Sequence, residues 1–415
     1  MTVSRFPVLL PSGWFMIIAL PSMLMVFNLA SSFSIGILCS SVIFLTVLFI
    51  HSLLRKNNTR SEYSVKNIIL LIFFLLFIML HFYIVNMLRF HFNQVDLNRF
   101  ILSYITFSLM LCCALSIATS LKNVSDEYFY KSCMMISIIL FCNGLISLSQ
   151  IDFFGTGLAK PSFIYLEPSH FALAVAPFIS YYCLTTTRVK GILMLLFVAG
   201  WAAYIQNMTM MLAVIIAYLL STRKNLVLSL SVLMLVGSTL VVFIDADKLS
   251  YFSDRLSLSG SSDNLSVLVL YQGWDNAIKT LASSWLGGGF QQFGITTLTG
   301  DVSEKLYQLL GFDINQFDGG STAPKIVGEF GLFGLILLVV YLVALNSLFR
   351  KIRTKSIENK KNLFASTVII TSVLEFFVRG VGYFSPSLFM LAVSIFYLLD
   401  NARKEKTSQK ESNIL

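Results

Sequence analysis

The stretch Leu166-Glu167-Pro168-Ser169-His170 sets a carboxylate and an imidazole three residues apart at the start of an apolar run. On a helix that spacing puts both side chains on roughly one face. Pro168 suits a first helical turn, and a carboxylate there interacts favourably with the exposed amides. Glu167 and His170 therefore read either as a helix-terminal acid beside a satisfied histidine, or as an acid/base or substrate-orienting cluster. Glu375 and Arg379, four apart near the end of another apolar run, predict an ion pair along one helical face. The alternative is that Arg379 engages an anionic ligand while Glu375 holds it in place. Lys325 and Glu329 repeat the spacing as a structural pair at the mouth of the next run. Arg255, within Ser253-Asp254-Arg255-Leu256-Ser257, reads either as an anchor at lipid headgroups or as a bidentate phosphate ligand. Arg89, Arg99 and Lys279 are weaker candidates for binding an anionic substrate.

The elements that must position these residues are membrane helices. Of the 415 residues, 56% are hydrophobic and only 12% charged, with 37 phenylalanines. A soluble domain carries about 25% charged residues. Apolar runs fall at 7–28, 32–53, 67–88, 100–121, 132–151, 167–186, 191–206, 208–221, 225–244, 326–348, 363–382 and 385–399. Many approach the roughly 20 residues needed to cross a bilayer, and a lipid-embedded segment must satisfy its own backbone, so helices are expected. The fold class is thus an all-α polytopic membrane protein of about 12 transmembrane or partly spanning helices with a large periplasmic loop.

The net charge of +9 gathers in short loops rather than in a nucleic-acid-binding patch. Of the 30 lysines and arginines, 21 fall on one side of the expected bundle, from Arg5 through Arg55, Arg188, Arg223 and the 350–361 cluster to the 403–410 tail. The positive-inside bias makes that side cytoplasmic, with both termini there. Arg5 followed by apolar sequence reads as a retained first span rather than a cleaved signal. The organisation is then an N-terminal transmembrane bundle over 1–244, a periplasmic loop over 245–324, transmembrane helices over 325–399 and a cytoplasmic tail over 400–415. Residues 191–221 must leave and regain the cytoplasmic side within a length too short for two standard spans. They are expected to form two short helices or a re-entrant hairpin turning at Asn207. Within the large loop, 264–283 predicts an amphipathic helix against the membrane surface, broken by Gly287-Gly288-Gly289. The glycines read as a plain helix stop or as a tight turn near substrate. None of the six cysteines lies in this loop, which argues against a disulfide framework. No metal-ligand spacing or nucleotide fingerprint appears.

Four stretches carry a resemblance to the bacterial O-antigen polymerase and ligase superfamily, specifically the polymerases of polysaccharide repeat units. They are Phe163 through Ala172 around Glu-Pro-Ser-His, Arg255 through Ser266, Trp285 through Gly294 with its three glycines, and Gly328-Glu329-Phe330-Gly331-Leu332-Phe333-Gly334. The resemblance covers mainly residues 160–345. Ligases of the superfamily commonly carry a histidine late in the large loop. Here Ser321-Thr322-Ala323-Pro324 stands instead and no histidine occurs from 245 to 324, which favours polymerase over ligase.

The resemblance implies glycosyl transfer at the periplasmic face of the inner membrane. A growing glycan on undecaprenyl diphosphate is the donor, a lipid-linked repeat unit is the acceptor, and undecaprenyl diphosphate leaves. Membrane lipids surround the protein, a polysaccharide chain-length regulator is a further candidate partner, and no nucleic acid, cofactor or metal is expected. Glu167 or His170 would deprotonate or orient the acceptor hydroxyl. Arg255 and Arg379 would stabilise the diphosphate. Asn264, Gln272, Gln291 and Gln292 are the candidates to hold the glycan. The competing readings are a ligase transferring glycan to lipid A core, and a polysaccharide transporter or flippase, whose expected pseudo-symmetric halves are not evident in the sequence.

Overall fold

The computed structural model describes residues 9–54, 64–90, 94–222, 227–228, 230–231 and 264–412. All of its regular elements are helical. In chain order they are α1 (Leu9–Ile18), α2 (Leu20–Val26), α3 (Phe33–Leu54), α4 (Val65–Val85), α5 (Leu97–Leu121), α6 (Asp126–Ser147), α7 (Pro168–Thr185), α8 (Arg188–Ile205), α9 (Met208–Ser221), α10 (Leu265–Ser283), α11 (Asp301–Leu310), α12 (Thr322–Arg353), α13 (Lys360–Thr371), α14 (Val373–Phe377) and α15 (Pro386–Ser412). A π-helical turn, Asn86–Phe90, extends α4. Local chemistry starts several of them. The side chains of Asp96, Ser125, Asn207, Asn264 and Asn359 each accept a backbone N–H of the first turn that follows, relieving donors the helix cannot satisfy itself.

Six described helices are long and apolar enough to cross a membrane: Phe33–Ile50, Val65–Arg89, Leu97–Leu121, Asp126–Ser147, Arg188–Ile205 and Thr322–Arg353. This is the helix content a multi-pass membrane protein requires. Their outward faces stay apolar. Leu335, Ile336, Val339, Val340 and Val343 of α12 and Ile69, Phe73, Leu76 and Leu80 of α4 are exposed, a surface that suits hydrocarbon and not water.

Not every apolar run becomes one such helix. The run at 7–28 divides into α1 and α2 beside Pro21. The run at 363–382 is interrupted at Ser372 and its helix ends at Phe377. The run at 225–244 lies largely outside the described residues. Residues 188–221 form two helices joined by Gln206, in the left-handed region, and Asn207, which caps the second helix through Met210 N at 3.0 Å.

The interior is built round α7. Phe171 through Tyr181 are all buried, and α7 packs against α6, α8, α9 and α13. At the opposite end of α6 from the Glu167 motif, the ammonium of Lys361 reaches the carbonyls of Val124 (2.7 Å) and Leu121 (3.3 Å) and the carboxylate of Asp126 (3.2 Å). Lys122 pairs with Asp400 of α15. These bonds fasten the C-terminal helices to the α5–α6 turn. Helices α10 and α11 share a small apolar core of Leu268, Val269 and Leu306. The helix expected over 264–283 is therefore present, but Val267, Leu268, Gln272, Gly273, Asn276 and Thr280 bury its face against protein.

Candidate functional site

Three interruptions of helix meet at one place. The first is the approach to α7. Phe163 takes a positive φ of 58°, and the hydroxyl of buried Tyr165 donates to the Ile18 carbonyl at 3.2 Å. Glu167 follows with extended backbone as the residue before Pro168, yet its carboxylate caps nothing. It accepts instead from Ser169 Oγ at 2.9 Å and from Arg379 Nη2 at 2.9 Å. His170 Nε2 lies 3.8 Å from the same carboxylate, longer than a hydrogen bond. The imidazole is largely buried and stands edge-on to Phe33 with ring centres 4.9 Å apart. Neither of its nitrogens has a hydrogen-bond partner among the described residues.

The second interruption brings Arg379. Helix α14 ends at Phe377, so Glu375 and Arg379 do not share a helical face, and the expected ion pair between them is not formed. Arg379 turns to Glu167. Glu375 is buried and accepts from Thr322 Oγ1 (3.3 Å), Val381 N (3.2 Å) and Ser387 Oγ. The carboxylate braces the 378–385 turn that carries the arginine. Gly380 N also donates to Gly320 O at 3.1 Å. The Nε of Arg379 is buried and makes no hydrogen bond among the described residues.

The third is the head of α12. Lys325 and Glu329 stand 3.6 Å apart, both fully buried, as their spacing predicts. Each has further partners. Lys325 donates to Phe317 O, lies 3.6 Å from Asp318 and sits 5.6 Å from the Tyr383 ring centre. Glu329 accepts the backbone N–H groups of Gln291 (2.9 Å) and Phe293 (3.2 Å). The glycine stretch is thereby clasped to α12. Gly288 N reaches Gly328 O and Gly289 N reaches Glu329 O, each at 2.8 Å, while Leu332 N returns to Trp285 O at 2.8 Å. Gly331 breaks the helix there with φ 58° and ψ −129°. A Cβ on Gly331 would fall 2.1 Å from Trp285 O. These glycines permit backbone to touch backbone, which a plain helix stop would not require.

The remaining candidates are spread out. Arg89 donates to Gly287 O and Ser283 Oγ, both at 2.9 Å. Arg99 covers the Phe317 ring at 4.3 Å. Lys279 is bound to Asp301 at 2.6 Å, and that carboxylate holds its ammonium above the usual lysine range. Asn264 caps α10. Gln292 exchanges two hydrogen bonds of 3.0 Å with the backbone of Asp96. Gln291 offers its backbone N–H to Glu329, and buried Gln272 has an Oε1 without a partner among the described residues. Arg255 lies outside the described residues. Among the described residues no three His, Cys, Asp or Glu side chains gather as metal ligands.

The arrangement thus unites Glu167, His170 and Arg379 and leaves Arg89, Arg99 and Lys279 with partners elsewhere. Ser169, Phe33 and the braces Thr322 and Ser387 are additions. Ser169 sits in plain view within the Glu-Pro-Ser-His stretch. The braces left no sequence signal, because serines and threonines are frequent and their partner is 53 residues from one of them. No family model, no curated protein and no solved structure matches the chain.

Proposed function

We propose that this chain is a membrane glycosyltransferase that extends a polyprenyl-diphosphate-linked glycan. The observation that carries the reading is the meeting of Glu167 and Arg379, 212 residues apart in sequence, beside an imidazole whose nitrogens make no hydrogen bond among the described residues. The pairing supplies a cation for an anionic leaving group and a base for a hydroxyl.

In this reading the acceptor sugar hydroxyl attacks the donor's anomeric carbon. A new C–O bond forms as the bond from that carbon to the diphosphate oxygen breaks. The electron pair leaves on the diphosphate, and the hydroxyl proton passes to His170. Glu167 steadies the imidazolium so formed and aims Arg379. Arg379, with Arg255, offsets charge on the departing diphosphate. A single displacement of this kind inverts the anomeric centre. The site faces the periplasm, with about 12 spanning or partly spanning helices, both termini in the cytoplasm and residues 245–324 outside.

Reconstitution of the purified protein in nanodiscs with its native lipid-linked repeat unit tests the reading. Ladders of longer lipid-linked glycan with inverted linkages are expected, and Arg255→Ala is expected to shorten them. Repeat units that cross the membrane without a new glycosidic bond would make the protein a transporter. Transfer only onto added lipid A core would make it a ligase.

A further inference from the structure

Four large apolar side chains stand exposed at the site's end of the bundle, outside any spanning helix. They are Phe27 (42%) and Leu29 (72%) in the turn before α3, and Ile151 (55%) and Phe153 (53%) in the loop after α6. Aromatic contacts join the two segments. Phe27 meets Phe154 edge-on with ring centres 4.9 Å apart, and Phe163 backs both Phe153 (5.7 Å) and Phe154 (5.6 Å). The charge of the loop is spent within it. Asp152 accepts from Gly157 N (2.8 Å), Thr156 Oγ1 (3.1 Å) and Phe154 N (3.4 Å).

The helices fix the level of this rim. Helix α6 runs 22 residues from Asp126 to Ser147, roughly 33 Å at 1.5 Å per residue, about the thickness of a hydrocarbon core. A crossing α6, tied to Lys361 at its Asp126 end, sets Ser147 at the other boundary, and Ile151 and Phe153 follow at once. Helix α3 starts at the site's end too, since Phe33 lies against His170. The ring contact with Phe27 keeps the 151–154 loop at the mouth of α3 instead of letting it project away. Ile138, Cys142 and Leu145 form an exposed stripe on α6 at helical spacing. The chain passes from that stripe, which suits hydrocarbon, into the rim. Aromatic and aliphatic side chains presented at such a boundary enter the layer between headgroups and acyl chains, where an equal patch left in water would be a liability.

We infer that the 27–29 turn and the 151–154 loop form one membrane anchor, whose partner is the phospholipid surface at the site's end of the bundle. Phe163 stands four residues before Glu167, so the site opens beside this boundary. The inference is independent of the reaction proposed above.

The test uses the full chain, its native cysteines replaced, one copy per phosphatidylcholine nanodisc. A nitroxide is placed in turn through Leu29→Cys, Phe153→Cys, Ile138→Cys on the exposed stripe of α6, and Ile278→Cys, exposed on α10. Power saturation then compares collisions with oxygen, which concentrates in lipid, and with a neutral nickel chelate, which stays in water. Oxygen is expected to exceed nickel severalfold at 29 and 153, as at 138, and the order to reverse at 278. Labels at 29 and 153 that read like 278 would overturn the inference. Labels there shielded from both reagents would overturn it too, because protein and not lipid would cover the rim. Neither result bears on whether a glycosidic bond is made, so the proposed reaction stands or falls separately.

Discussion

An arginine near lipid needs a carboxylate, and which carboxylate it takes decides what it can do. Had Arg379 paired with Glu375, both charges would have been consumed within one turn. Its pairing with half-exposed Glu167 leaves the pair at an opening, with His170 beside it. His170→Ala is expected to insert normally and to slow chain extension about 100-fold or more, the usual worth of a positioned base. Arg379→Ala should cost a similar factor through lost charge stabilisation, and Arg379→Lys should recover part of it because only the fork geometry is lost. Initial rates of extension, with membrane yield as the control, check both. Full rates in both alanine variants would remove this cluster from the chemistry. The sequence made Glu167 and His170 legible because they share one short motif. Arg379 was legible as a charge in an apolar run, but its partner was not. The rule of four spacing presumes an unbroken helix, and no proline marks the break after Phe377. Gly380 and Gly382 were the available signs.

At the scale of elements, the glycine stretch and the head of α12 act as one unit, and burial of Lys325 and Glu329 is its fastening. Lys325→Met would strand the Glu329 carboxylate in a dry interior without its ion-pair partner. A loss of about 3–5 kcal/mol is expected, seen as a lower melting midpoint in detergent. A midpoint within a degree of the parent would show the pair to be dispensable. Gly331→Ala should also destabilise, because its Cβ meets Trp285 O at 2.1 Å. Gly155, at φ 64° with nothing within 4 Å, carries conformational strain alone, so Gly155→Ala should cost only about 1–2 kcal/mol. If the two alanine variants melt alike, the close approach at Gly331 is not what holds the loop. The 325/329 spacing was readable as a pair. Its role was not, since Glu329 accepts N–H groups from residues 38 and 36 positions away, and nothing local announces such a contact.

For the whole molecule, hydropathy made the helices legible and missed which of them are interior. The run at 167–186 reads like any other span, yet α7 is enclosed by its neighbours. Periodicity cannot separate a helix surrounded by protein from one surrounded by lipid when both are apolar all round. The helix over 264–283 shows the converse. Its amphipathic pattern suggested a membrane surface, and its apolar side instead packs on α11 and α12.

The proposed sidedness can be tested on one element. Helix α12 begins buried beside the candidate site and ends in Arg350, Lys351 and Arg353. After the break at Gly331, the stretch to Arg353 is roughly 33 Å long at 1.5 Å per residue, enough to cross a hydrocarbon core of about 30 Å. A crossing helix has its two ends on opposite faces, and the positive-inside bias expects the basic end in the cytoplasm. Single cysteines at exposed Ile278 and Tyr307, on the site's side, and at exposed Lys355, on the other, place these faces directly once the native cysteines are replaced. Cys112 and Cys142 are exposed and would otherwise react. A membrane-impermeant maleimide applied to spheroplasts is expected to label positions 278 and 307 and to reach 355 only after permeabilisation. The opposite pattern would set Glu167, His170 and Arg379 in the cytoplasm and remove them from any substrate displayed on the outer face. Labelling of all three positions from outside would mean that α12 does not cross.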